Sequence, residues 1–329
     1  MKNKIAKLVE VGKIEIFEEE LPKLKEDEVL VKIKSCGICG SDLHYFKHGG
    51  LGSFKESMPM YMGHESAGIV VDGDFKIDSR VAIEPGKSCV TSEWSIKGKH
   101  NLCNEGTFMG ANTHGAFADF VIVDKRQLVE IPDTMSFNMA ALLEPLGVAL
   151  HSIKLINLNI FDNVVIIGAG AIGLSVMYIC KLMGCEKIYI DDHHDYRLDF
   201  AKKHGGLSTH SPAGFLGKKA ASAVFDCAGN NDSINKCIVW AGVGSRLALI
   251  GIPTQDYVEY NPHKARTKEM ILQNVRRSNI TLLDCLRLFI DSNEPESMVT
   301  HEFELDDIQK GFELVSNRQD EVIKCMVIG

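Results

Sequence analysis

The sequence predicts an α/β chain: a β-rich segment joined to a doubly wound parallel sheet. Two patterns carry that prediction. The first is a set of short runs rich in β-branched residues and bounded by Gly, Asp or charge: VLVKI at 29–33, AGIVV at 67–71, RVAI at 80–83 and FADFVIV at 117–123. Such runs at irregular spacing predict the strands of a small barrel-like domain. The second begins at 163, where strand and helix alternate. NVVII at 163–167 precedes an apolar helix at 174–183, stopped by Gly184, and strands follow at 187–190, 223–227 and 246–250. That is βαβ order, which builds a parallel sheet with helices on its faces.

Between these parts the period turns helical. Over 136–156, Phe137, Ala140, Ala141, Leu143, Leu146 and Leu150 recur at helical spacing and predict one apolar face. From about Arg277 the chain returns to helix and short strand. It ends in VIKCMVI, a strand able to pair back onto the first domain.

A length of 329 residues and 45% hydrophobic content fit two domains with a real core. The net charge of −8, without a basic stripe, argues against a nucleic-acid partner. No apolar run approaches the roughly 20 residues that span a bilayer, and the charged N-terminus lacks a signal-peptide pattern. A cytoplasmic protein is expected. The 10 cysteines are then reduced thiols or metal ligands rather than a disulfide framework.

GAGAIG at 168–173 stands between a strand and a helix, with acids at the next strand's end. This is the dinucleotide fingerprint in its proper context. Gly168 allows the tight turn, Gly170 lets backbone approach a pyrophosphate, and Gly173 lets helix pack on strand. Ala171 and Ile172 complete the motif at the helix start, where free N–H groups face phosphates. Asp192, rather than Asp191, is expected on the adenosine ribose. Its carboxylate would repel a 2′-phosphate, so NAD is predicted over NADP. Arg197 is expected along the adenine side, although a surface arginine reads as well.

The stretch 36–65, CGICGSDLHYFKHGGLGSFKESMPMYMGHE, brings together the chemistry of a catalytic zinc site. Cys39, His64 and Glu65 supply a thiolate, an imidazole and a carboxylate, ligand types that leave one position open. Cys36 and Cys39 form a CxxC pair, but no thioredoxin-like context and no second CxxC accompany it. One ligand beside one bystander remains.

GICGSDLHY, PMYMGHE, EPLGVALH and VVIIGAGAIGL together resemble the zinc-dependent medium-chain dehydrogenases. The branch they resemble is that of sorbitol and xylitol dehydrogenases, with L-idonate 5-dehydrogenase also similar. The resemblance covers nearly the whole chain. It implies a GroES-like catalytic domain from residues 1–151 and 277–329 around a Rossmann NAD-binding domain at 152–276. It implies Cys39, His64 and Glu65 around zinc, with Glu144 at the metal site either as a ligand or through water. A helix-terminal acid is the other reading of Glu144. The resemblance also implies that zinc acts as a Lewis acid on the substrate hydroxyl while hydride passes to the nicotinamide. Ser41 would take the alcohol proton and pass it through the nicotinamide ribose to His44, whose imidazole exchanges protons near neutrality. Tyr45 matches a substrate-contacting tyrosine, and Arg277 a substrate-site arginine, with Arg276 its competitor.

Two departures qualify the match. Many members carry a structural zinc lobe of four cysteines; here Ser92 and Ser95 stand at the middle positions between Cys89 and Cys103. Two thiolates and two hydroxyls do not make a closed zinc site, so no structural zinc is expected. Ser278 replaces the tyrosine usual after the substrate arginine in sorbitol enzymes. An arginine there suits a sugar acid or sugar phosphate as well as a neutral polyol. The expected substrate is therefore a polyol or sugar derivative, and the expected assembly is a homodimer or homotetramer.

Overall fold

The computed structural model describes residues 1–208, 210 and 220–329. The chain forms two compact units, Met1–Gly147 with Asn279–Gly329, and Val148–Ser278.

The first unit opens with a hairpin, β1 (Lys2–Glu10) and β2 (Lys13–Glu20), paired antiparallel. Sequence reading passed over it because its outward positions carry a charge at nearly every second residue. Seven strands then form the main sheet. Its centre is β3 (Glu28–Gly37), flanked on one side by β4 (Glu65–Gly73) and then β5 (Arg80–Ile83). On its other side the first half of β3 pairs with β5's distant neighbour in sequence, β6 (Phe120–Asp124). The second half pairs with the chain's last strand. The helix α1 (Gly40–His48) leaves the end of β3 directly, so strand and helix together aim the residues between them.

Two expectations needed correction. The run at 117–123 becomes strand only from Phe120. Its first residue is drawn away, since Phe117 donates to the Met62 carbonyl (3.3 Å) and its own carbonyl accepts from the Ala6 N–H (2.9 Å). The long helix α2 (Phe137–Leu155) is buried on all sides from Met139 to Leu146, not on one face. A helix apolar all round belongs in an interior.

The closing segment supplies β7 (Val299–Glu304), α3 (Ile308–Asn317) and β8 (Lys324–Ile328). β8 runs parallel to β7 and antiparallel to β3, with Met326 opposite Gly37. Phe312 of α3 is fully buried, tilted on Phe46 of α1 and edge-on to Phe117. This aromatic cluster fixes α1 against the sheet.

Among the described residues, the second unit holds one six-stranded, wholly parallel sheet. Its first strand, Val164–Ile167, lies between Ile188–Asp191 and Ala221–Asp226. The strand order therefore reverses at that first strand, and the crevice at its carboxyl end is where such sheets bind nucleotides. Among the described residues no helix is long and apolar enough to cross a membrane.

Candidate active site

The turn between β3 and α1 and the start of β4 converge in the first unit. Cys39 caps α1, held there by its N–H donating to Asp42 Oδ2 (3.0 Å). Glu65 opens β4, opposite Gly37 in register, and His64 directly precedes it. The ligand atoms of Cys39, His64 and Glu65 lie within 4.8 Å of one another. Among the described residues these three form the only such group of histidine, cysteine and acid. Glu144, buried in α2, stands outside that group but within electrostatic reach of His64 and Glu65.

Charge and burial suit this cluster to a cation. Burial pushes the Cys39 thiol well above its usual range, and the Glu65 charge adds to that. Burial, again the main cause, raises the Glu144 carboxyl to about 8, with His64 opposing and Glu65 and Glu84 reinforcing. A soft thiolate, an imidazole and a carboxylate this close fit zinc, and a bound cation would reverse both shifts. Asp42, fully buried, sits 3.7 Å from His64 Nδ1 and also accepts from the Gly63 N–H (3.4 Å). A carboxylate beside the imidazole is the kind of outer partner that metal-binding histidines have. Sequence reading did not single out Asp42; its position three residues into a capped helix was the available signal.

Ser41, His44 and Tyr45 all ride on α1. Offsets of three and four residues put His44 and Tyr45 on the same face as Ser41. Tyr45 is buried and His44 half-buried. Arg276 and Arg277 belong to the second unit, exposed and half-buried respectively, with Ser278 buried beside them. Arg277 holds a left-handed backbone (φ 57°). In the lobe at 89–103, Ser92 caps a short helix and accepts from the Ser95 N–H (3.1 Å), while the Cys89 N–H donates to Cys103 Sγ (3.4 Å). Both cysteines are free.

In the second unit the glycine motif behaves as the fingerprint requires. Gly168 holds φ +101°, a left-handed conformation open to glycine, and its N–H donates to the Asp191 carbonyl (2.7 Å). A Cβ on Gly173 would run into the Gly168 carbonyl oxygen and meet Ile166 Cγ2 at 3.2 Å. At Gly170 it would meet only Arg197 Nη1, at 3.6 Å, so this side of the turn is open for a ligand. Asp192 fastens the turn, accepting from the Ala169 N–H (2.8 Å) and the His194 N–H (2.9 Å). Arg197 lies 3.6 Å from the Asp192 carboxylate. Asp191 is instead engaged by Lys236 (3.1 Å). A cavity of about 300 Å³ opens along His193, Asn230, Asp232, Thr254 and Gln255. All five follow the carboxyl ends of strands, His193 that of Ile188–Asp191, a position that could have marked them.

Gly173→Ala is expected to weaken NADH binding about tenfold to a hundredfold, the size of a 1–3 kcal/mol overpacking cost. Zinc content should not change. Fluorescence titration with NADH, alongside metal analysis, checks both.

A thiolate, imidazole and carboxylate cluster in one unit and a dinucleotide-binding sheet in the other define a metal-assisted, nicotinamide-dependent oxidoreductase. The chain matches the alcohol dehydrogenase GroES-like domain over residues 25–133 and the zinc-binding dehydrogenase family over residues 171–289. Sorbitol dehydrogenase 1 of Saccharomyces cerevisiae is 30% identical, over 98% of this chain and 97% of its own. Sorbitol dehydrogenase of Bacillus subtilis is 29% identical, over 98% of this chain and 96% of its own. A solved Escherichia coli structure, an oxidoreductase/dehydrogenase of unknown specificity involved in membrane biogenesis, superposes with a TM-score of 0.92. It is 29% identical, covering 100% of this chain and 99% of its own. The chain belongs to the zinc-dependent medium-chain alcohol dehydrogenases, in their polyol dehydrogenase branch.

Proposed function

We propose that this enzyme oxidises a secondary alcohol of a neutral polyol to a ketose, with NAD as hydride acceptor and one zinc ion at Cys39, His64 and Glu65. The observation that carries the reading is the convergence of these three ligand types within 4.8 Å in a buried pocket. The polyol follows from two sorbitol dehydrogenases that align with this chain nearly end to end.

When bound, zinc supplies a Lewis acid that polarises the alcohol. The chain does the rest. Asp42 orients His64, and the α1 N-terminus faces Cys39 with its partial positive charge. Ser41 and His44, one turn apart on α1, carry the alcohol proton outward. Glu144, buried in α2 within electrostatic reach of His64 and Glu65, would serve the metal site either as a ligand or through a water. Tyr45 and Arg277 would bind hydroxyls away from the reacting carbon, which is how such sites reject deoxy analogues. In the second unit, Gly168, Gly170, Ala171, Ile172 and Gly173 would cradle the pyrophosphate. Asp192 would hold the adenosine ribose, and Arg197 would lie along the adenine side. The assembly consistent with the family is a homodimer or homotetramer.

The test is NAD reduction with sorbitol, xylitol, L-idonate and a polyol phosphate, run with and without a zinc chelator. Chelator-sensitive turnover of a neutral polyol is the expected result. Turnover of the acid or phosphate alone would overturn the neutral-polyol reading and make Arg277 the specificity residue.

A further inference from the structure

Lys324 is a buried cation in an otherwise apolar strand, only 2% exposed. An ammonium in that position is costly unless paired. Its pairing is specific: Nζ donates to the Ile38 carbonyl (2.9 Å) and forms an ion pair with Glu65 Oε2. The register of β8 on β3 sets this up, with Met326 opposite Gly37 and Gly37 opposite Glu65. The pair therefore lies over the bare backbone of Gly37. A Cβ there would strike the Glu65 carboxylate and come within 2.8 Å of Lys324 Cε. The glycine is required for lysine and glutamate to meet.

We propose that Lys324 is the positioning residue of the metal centre: by holding Glu65 through Oε2, it leaves Oε1 as the oxygen Glu65 presents to zinc. A carboxylate has two oxygens and can clasp a cation with both. Lys324 occupies one of them. The device limits how tightly the centre closes on zinc and keeps a coordination position for the substrate. This rests on the zinc reading above and adds to it a residue that touches neither metal nor substrate.

The prediction is unusual in sign. Loss of an outer partner commonly weakens metal binding 10–100-fold. Lys324→Met is expected to bind zinc about tenfold more tightly, because Glu65 is released to the metal, and to lose about tenfold in kcat with KM for NAD little changed. Zinc affinity is read by chelator competition on the metal-free protein. In the cobalt-substituted protein, the visible absorption should weaken as the coordination number rises. Lys324→Arg should restore the wild-type affinity. In a Glu65→Gln background, Lys324→Met should leave zinc affinity unchanged. If the methionine variant does not fold, Lys324→Gln, which can keep the bond to Ile38, makes the same comparison. Zinc bound equally or less tightly by the folded variant overturns the proposal alone. An unaltered protein that binds no zinc overturns it together with the functional reading.

Discussion

Cys39→Ser is expected to empty the metal site and lower turnover by about a thousandfold. Serine keeps the size of the side chain and is a good helix cap, so α1 should form as before. What changes is the ligand. A neutral hydroxyl is a poor partner for zinc, and of the proposed three-residue cluster His64 and Glu65 remain, the latter already shared with Lys324. The metal's polarising effect on a substrate oxygen is worth several kcal/mol, and about 4 kcal/mol corresponds to a factor of about a thousand. Zinc per chain, by atomic absorption, and NAD reduction are measured on the same sample. A serine variant that keeps its zinc, or turns over at about a tenth of the wild-type rate, would remove Cys39 from the ligand set.

Much of this site was legible because its chemistry is local in sequence. Cys39 sits within a few residues of Ser41 and His44, and His64 directly precedes Glu65. Residue type alone then points to the metal. The Rossmann half was legible for a similar reason: GAGAIG follows one β-branched run, and Asp192 ends the next. What escaped depends on strand pairing across the whole chain. Lys324 and Ile38 are 286 residues apart, and only the β3–β8 register brings them together. Within VIKCMVI the lysine interrupts an apolar run, but a strand end at the surface would look the same. Gly37 likewise reads as an ordinary glycine until Glu65 and Lys324 are placed over it. α2 was read as amphipathic from spacing, yet spacing between apolar residues does not report that the intervening Leu142 and Met139 are also enclosed. Asn230 and Thr254 line the cavity by following strand ends, and neither residue type distinguishes a binding position from a turn.

Asp192→Ser is expected to shift the ratio of kcat/KM for NAD to that for NADP about a hundredfold towards NADP. The carboxylate directly follows the strand Ile188–Asp191, with one oxygen accepting from Ala169 N–H of the glycine turn and the other from His194 N–H. A 2′-phosphate brought to that place would meet a fixed negative charge, and like charges in contact cost several kcal/mol. Removing about 2–3 kcal/mol of that repulsion is a factor of about a hundred in relative affinity. Arg197, 3.6 Å from Asp192, is the second half of the effect. Freed from its carboxylate, the guanidinium can offer paired N–H donors to a phosphate. The serine hydroxyl can still accept one of the two backbone N–H groups, so the turn should hold, with some loss of melting temperature. The measurement is kcat/KM for NAD and NADP in both proteins. An unchanged ratio would mean that the acid only braces the Gly168–Gly173 turn and that cofactor choice is made elsewhere. A fall caused by weaker NAD alone would point the same way, since relief of repulsion must appear as a gain with NADP.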